Sequence, residues 1–269
     1  MIAAMIAAAS ASVAPATIAQ SAAQRASMVT RIRSDVRAAD PMAADAHLET
    51  ALQAIASIPR EEFVSNDQRA EAYEARSLPI GYDQTISDAY IVAVMTAALR
   101  LPPHAHVLDV GTGSGYQAAV LAKIADRVSS IEIIEPLAAA AKLRLARLGY
   151  GNVDVRAGDG YAGWPDRAPF DGIVVAAGTH HVPQPLIDQL KIGGRLVMPV
   201  GASWAFEQIV VVTKTGKTTT TRCSLGWSMF VPLTGAGARR ADAAGLFDRE
   251  LTLCFEKPVA RTDVVAAAK

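Results

Sequence analysis

Three acids and three glycines fall where alternating strands and helices can gather them around a ligand. Asp109 sits inside Val107-Leu108-Asp109-Val110, an apolar, β-branched run that breaks into Gly111, Gly113 and Gly115. Such a run suits a strand buried on both faces of a parallel sheet. The glycines let the backbone turn tightly and approach a ligand with no Cβ atoms in the way. From Gln117 to Ala125 the composition is helical. The loop therefore ends at a helix N-terminus, where polar and anionic ligand groups are well received. Glu132 belongs to the next strand pattern, Val128 to Ile133, at the spacing of about 20 residues from which a carboxylate accepts a ribose diol. Asp159, in Gly158-Asp159-Gly160 just past Val153 to Arg156, is placed to accept from an adenine amino group.

The spacing G-x-G-x-G departs from the dinucleotide pattern G-x-G-x-x-G, and no P-loop lysine follows. Acids at successive strand ends suit a cofactor with a cationic centre, an amine and no phosphates. That description fits S-adenosylmethionine better than NAD. A second polar set lies upstream in Gln84-Thr85-Ile86-Ser87. Its hydroxyls either hold a ligand or cap the helix that begins near Asp88. Residue chemistry alone leaves both roles open.

A longer series of matches surrounds these residues. It comprises Pro59-Arg60-Glu61-Glu62-Phe63-Val64, Leu78-Pro79-Ile80-Gly81, Gln84 to Ser87, Val107 to Gln117, Gly158-Asp159-Gly160 and Gly163-Trp164-Pro165. It continues with Ala168-Pro169-Phe170-Asp171, Gln189-Leu190-Lys191, Gly193-Gly194-Arg195-Leu196 and Phe230-Val231-Pro232-Leu233. In this ordered series, from about Val29 to about Gly235, the chain resembles the protein-L-isoaspartate(D-aspartate) O-methyltransferases. These are class I S-adenosylmethionine-dependent enzymes that repair damaged aspartyl and asparaginyl sites.

The resemblance implies methyl transfer to the free carboxylate of L-isoaspartyl and D-aspartyl residues, with Ser87 as the active-site serine. It implies cofactor contacts from Gln84, Thr85, Ile86, Ser87, Tyr90, Asp109, Gly111, Gly113, Gly115, Glu132, Asp159, Gly160 and Thr234. Substrate contacts are expected from Thr85, Ser87 and His180. A carboxyl group, which ordinarily titrates at roughly pH 4, is already ionised near neutral pH. It attacks the sulfonium methyl directly, so the enzyme must supply alignment and exclude water rather than furnish a strong base. Two residues depart from the family's G-x-G-Q-T-I-S-x-P: Asp83 replaces the second glycine and Ala89 the proline. An acid at position 83 either repels the substrate carboxylate or points outward. Two further readings therefore stay open, a different carboxylate substrate and a non-catalytic cofactor-binding homologue.

What positions these residues is a βα rhythm. Strands are expected at Val107 to Val110, Val128 to Ile133, Val153 to Arg156, Phe170 to Ala177, Gly194 to Val200, Gln208 to Thr213 and Leu225 to Leu233. Helices are expected at Ile91 to Leu99, Gln117 to Ala125, Pro136 to Leu148 and Val182 to Leu190, with Glu74 to Tyr90 an irregular loop. The expected fold is α/β: a doubly wound, mostly parallel seven-stranded sheet of Rossmann-like class I methyltransferase type, with an N-terminal helical extension. Val29 to Val64 reads as helical with a break at Asp40-Pro41, and Leu48, Leu52 and Ile55 recur as core positions.

The expected domains are a signal-like or disordered extension at 1–27, a methyltransferase domain with its helical cap at 28–235, and a C-terminal extension at 236–269. The alanine-rich, acid-free start reads either as an export signal, with Ala9, Ala11 or Ala19 near a cleavage site, or as an extension ahead of a true start at Met28. A cytoplasmic location is expected, with an exported or periplasmic one as the alternative. Net charge is zero and no dense basic stretch suits nucleic acid. A monomer without stable membrane association is expected. Cys223 and Cys254 read as two unpaired thiols. His180 and His181 follow the fourth strand beside the substrate cleft, without zinc-site spacing, while His104 and His106 read as structural.

Overall fold

The structure, a computed structural model, describes residues 18–40, 43–201, 207–236 and 251–254. Helix α1 (Ile18–Ala39) buries Met28, Val29, Ile32 and Val36 at helical spacing. Helix α2 (Ala46–Ala56) buries Leu48, Ala51, Leu52 and Ile55, as the periodicity predicts. Asp45 caps α2, its carboxylate accepting from the His47 and Leu48 amides at 2.9 and 3.1 Å. One boundary is corrected. Helix α1 starts at Ile18, its Ser21 is buried, and the Arg25 guanidinium donates to the Tyr73 hydroxyl at 3.3 Å. The later part of the expected 1–27 extension thus belongs to the fold, because alanine-rich sequence is good helix sequence.

Where an irregular loop is expected, the chain forms a hairpin of β1 (Leu78–Gly81) and β2 (Gln84–Ile86). Its two turn residues, Tyr82 and Asp83, have φ of 55° and 56°. Two positive φ values match a type I′ turn, which Tyr-Asp does not announce as Asn-Gly would, and Pro79 further disguises the strand. Helix α3 (Ala89–Ala98) follows directly and packs against α2.

The rest alternates as expected, through β3 (His106–Val110), α4 (Tyr116–Ala122), β4 (Arg127–Glu132), α5 (Glu135–Arg147), β5 (Val153–Ala157), β6 (Phe170–Val175), α6 (Gln184–Asp188) and β7 (Leu190–Val200). Two antiparallel strands, β8 (Glu207–Lys214) and β9 (Thr220–Ser228), complete the sheet. Among the described residues the order is β5-β4-β3-β6-β7-β8-β9, with β3 to β7 parallel. All five residues of β3 are buried, as its apolar run requires. The last strand begins earlier than expected, because Thr220 and Thr221 supply β-branched residues to the pairing with β8.

Of the residues after Ala236, Leu251 to Cys254 are described. Ser224 and Cys254 donate their amides to the Thr252 and Ser224 carbonyls, each at 2.9 Å, so this segment runs beside β9. The expectation of two free thiols is wrong. Cys223 and Cys254 are joined in a disulfide with Cα atoms 4.9 Å apart, within the range a bridge requires. Their separation of 31 residues gave no sign that the tail returns to this strand. His106 is buried at the far end of β3, its ring nitrogen 3.1 Å from the Ser129 hydroxyl, a structural role as expected.

Candidate active site

The chain leaves β3 toward β4 on one side and returns through β6 on the other, so the loops after β3 and β6 diverge. In doubly wound sheets ligands bind at this switch point, beyond the carboxyl ends of the strands. Two adjoining pockets lie there and share Thr85, Gly111, Gly113 and Ala176, forming one cleft. One end is lined by Ile86, Ser87, Gln117 and Phe230, and the other by Gln84, Glu132, Ile133, Gly160 and Thr234.

The walls follow from local chemistry. Gly111 takes φ of 91° and donates its amide to the Ile131 carbonyl at 2.8 Å, folding the loop back over β4. Glu132 accepts from the Gly113 amide at 2.8 Å and from the Ile134 amide at 3.0 Å. An ionised carboxylate has about four acceptor sites, so this one still has capacity for a diol. A Cβ on Gly160 would come within 2.4 Å of Val110 Cγ1, so only glycine fits that floor. The lining holds no lysine or arginine among the described residues.

At the other end the ambiguity about the hydroxyls resolves. Helix α3 is capped by the Asp88 carboxylate, which accepts from the Tyr90 amide at 2.9 Å. Thr85 and Ser87 are therefore not needed as caps, and both line the cleft. The Ser87 carbonyl accepts from Arg60 Nη2 at 2.7 Å.

Comparison with known proteins decides the family. The family of protein-L-isoaspartate(D-aspartate) O-methyltransferases matches residues 43–238. The chain belongs to that family. It is 52% identical over 214 residues to protein-L-isoaspartate O-methyltransferase 2 of Syntrophobacter fumaroxidans, covering 79% of this chain and 87% of that one. It is 47% identical over 213 residues to protein-L-isoaspartate O-methyltransferase 1 of Cupriavidus necator, covering 79% and 82%. A solved protein-L-isoaspartate O-methyltransferase has a TM-score of 0.69 at 27% identity, with 78% of this chain and 66% of that one covered. A Plasmodium falciparum chain crystallised with S-adenosyl-L-homocysteine shares the fold, with a TM-score of 0.64 at 20% identity and coverage of 78% and 98%. The expected family, fold class and enzyme class are met.

Within this isoaspartate methyltransferase fold, several residues expected as contacts lie outside the lining of the cleft. Asp109 does not line the cleft. It is fully buried behind the loop, its Oδ2 accepting from the Ser130 hydroxyl at 2.7 Å, and burial pushes its carboxyl up to about 7. Ser130 Oγ in turn lies 2.6 Å from Thr112 Oγ1, so Asp109 supports the loop from beneath. Asp159 is also absent from the lining. Its oxygens accept from the Tyr161 amide at 2.9 Å and the Ala236 amide at 2.8 Å. It fastens the segment carrying Thr234 rather than offering an open acid. Gly115 is the N-cap of α4, packed against Leu145 and Ala141 of α5 instead of the cleft.

Tyr90 lies on α3 and turns toward a separate groove shared with Val36, Leu48 and Leu225. His180 is half-buried near Glu207 and lines neither part of the cleft. Asp83, the departure from the family pattern, is exposed on the hairpin turn, and Ala89 is buried in the first turn of α3 behind the Asp88 cap. Sequence reasoning missed Phe230 and Leu233 as wall residues, although Phe230-Val231-Pro232-Leu233 stands among the matching stretches. It also missed Arg60, which the family-like Pro59-Arg60-Glu61-Glu62-Phe63 marked without a role.

Proposed function

We propose that this chain transfers a methyl group from S-adenosylmethionine to the free carboxylate of L-isoaspartyl and D-aspartyl residues in damaged polypeptides. The observation that carries the reading is the pair of hydroxyls on Thr85 and Ser87. They are released from capping by Asp88 and line the same cleft as Gly111 and Gly113. The donor set fits the cofactor. Glu132 would take the ribose hydroxyls, Gly160 leaves room for the nucleoside, and the lack of cationic lining residues suits a group without phosphates. S-adenosylmethionine supplies, when bound, an electrophilic methyl on a sulfonium.

The chain's own residues then have a positional task. Thr85 and Ser87 receive the substrate carboxylate by hydrogen bonds, which hold it in its ionised form and aim an oxygen along the cleft. Buried Ile86 and the Phe230 wall exclude water from that end, which strengthens those bonds. No residue need remove a proton, since the acceptor is already an anion at neutral pH. The exposed position of Asp83 keeps that acid from opposing the substrate carboxylate. This favours the isoaspartyl reading over a different acceptor.

The test is labelled S-adenosylmethionine with matched peptides containing aspartate or isoaspartate. Labelling of the isoaspartyl peptide alone is the expected result. Equal labelling of both peptides, or of neither, overturns the reading. The Cys223–Cys254 bridge further supports the exported alternative over the cytoplasmic one, since disulfides persist in oxidising compartments. No described helix is long and apolar enough to cross a membrane. Thiol labelling of protein captured from its native compartment tests this. Two free thiols there would oppose it.

A further inference from the structure

We propose that Arg60 is a positioning residue for the methyl transfer, acting through the main chain of Ser87 to hold the acceptor bend against the helix that follows the glycine loop. This rests on the role proposed above for Ser87.

Arg60 opens the 3-10 turn Arg60–Phe63 and is 0% exposed. Its Nε donates to the Ala72 carbonyl at 2.8 Å and its Nη2 to the Ser87 carbonyl at 2.7 Å. The guanidinium also lies over the Tyr116 ring, 4.7 Å from its centroid, and the Phe63 ring meets the same tyrosine at 5.4 Å, edge to face. Tyr116 is the first residue of α4 and directly follows Gly115. One side chain therefore touches the bend that presents the acceptor hydroxyl and the helix that ends the cofactor loop.

The energetics point the same way. A buried cation is costly unless it is paired, yet the Asp88 carboxylate acts on Arg60 through its charge without a hydrogen bond to it, and among the described residues Nη1 has no hydrogen-bond partner. An apolar side chain would fill the space at lower cost. What it could not do is donate to both the Ser87 and the Ala72 carbonyls. A planar guanidinium provides both through donors in a fixed fork. Because a misplacement of about 1 Å can cost about a hundredfold in rate, such a strut acts on turnover more than on cofactor binding.

A double-mutant cycle separates this from a merely structural role. Arg60→Lys and Arg60→Gln, each keeping a donor for one carbonyl, are made in wild-type and Ser87→Ala backgrounds. Turnover of an isoaspartyl peptide is measured with labelled S-adenosylmethionine, single-turnover where slow, and S-adenosylhomocysteine affinity by calorimetry. In the wild-type background kcat falls about ten- to hundredfold while the affinity changes by less than about threefold. In the Ser87→Ala background the same substitutions change kcat by less than about threefold, because little is left to position. Equal losses in both backgrounds, unchanged kcat, or an affinity loss matching the kcat loss each overturn the inference. A wild-type chain that does not label the isoaspartyl peptide overturns the proposed function itself, whereas an active wild type with unimpaired Arg60 variants overturns this inference alone.

Discussion

At the scale of single residues, the cleft separates groups that face a ligand from groups that hold the loop beneath it. Ser87 is of the first kind, and Ser87→Ala removes a donor to the reacting carboxylate. Its expected effect is a fall in kcat of about a hundredfold with S-adenosylhomocysteine affinity kept, measured by peptide labelling and calorimetry. A variant that turns over normally would remove the serine from the chemistry. Asp109 is of the second kind. Burial raises its carboxyl from 3.8 to about 7, so the folded chain binds that proton more tightly than the unfolded one. Its stabilising contribution is complete below pH about 4, declines as the pH rises to about 7, and is constant above that. At about 1.4 kcal/mol per pKa unit, the decline is on the order of 4 kcal/mol. Asp109→Asn stays neutral throughout, so its denaturation midpoint should equal the wild type's near pH 3 and exceed it near pH 8. Parallel pH profiles for the two proteins would show that the buried acid does not titrate in this window.

Among the elements, those whose period and punctuation agreed were legible from the residues alone. Strand β3, the glycine loop, α4 and β4 follow from an apolar run, three glycines and an acid, and they set the donor side of the cleft. The acceptor side was less legible, because a type I′ turn built from Tyr82 and Asp83 hides a hairpin that Asn-Gly would have declared. The orientations of Asp109 and Asp159 were hidden for a related reason. Strand-end position is visible in sequence, but which way a carboxylate is turned depends on neighbours such as Ser130 and Ala236, far along the chain. The pairing of β9 with Leu251 to Cys254 had no local signal at all. Its bridge closes 31 residues, and loop-closure entropy for that length is worth about 3–4 kcal/mol. Chemical denaturation with and without a phosphine reductant should show a loss of that order, with the same direction for Cys223→Ser paired with Cys254→Ser. Identical curves would mean that the tail is not fastened there.

For the molecule as a whole, the sheet places the cleft at its switch point, and the N-terminal helices brace α3, the helix that starts beside Ser87. Helix α1 is the less obvious part of that brace, since its leading residues read as an appendage. Met28, Val29, Ile32 and Val36 are all buried. Burying each such side chain is worth about 1.5–3 kcal/mol, so together they rival the 5–15 kcal/mol that typically separates folded from unfolded chains. Ser21 of this helix is buried, whereas Ala19 and Gln20 are exposed. Two truncations therefore differ sharply in outcome. Removing residues 1–19 leaves every described buried contact of α1 in place and should not move the thermal midpoint. Removing residues 1–39 uncovers the faces of α2 and α3 and should abolish cooperative melting, and methyl transfer with it. Circular dichroism melts of the two chains make the comparison direct. A cooperative transition in the shorter chain, at the full-length midpoint, would show that α1 is an appendage after all and that α3 is held by α2 and the sheet alone.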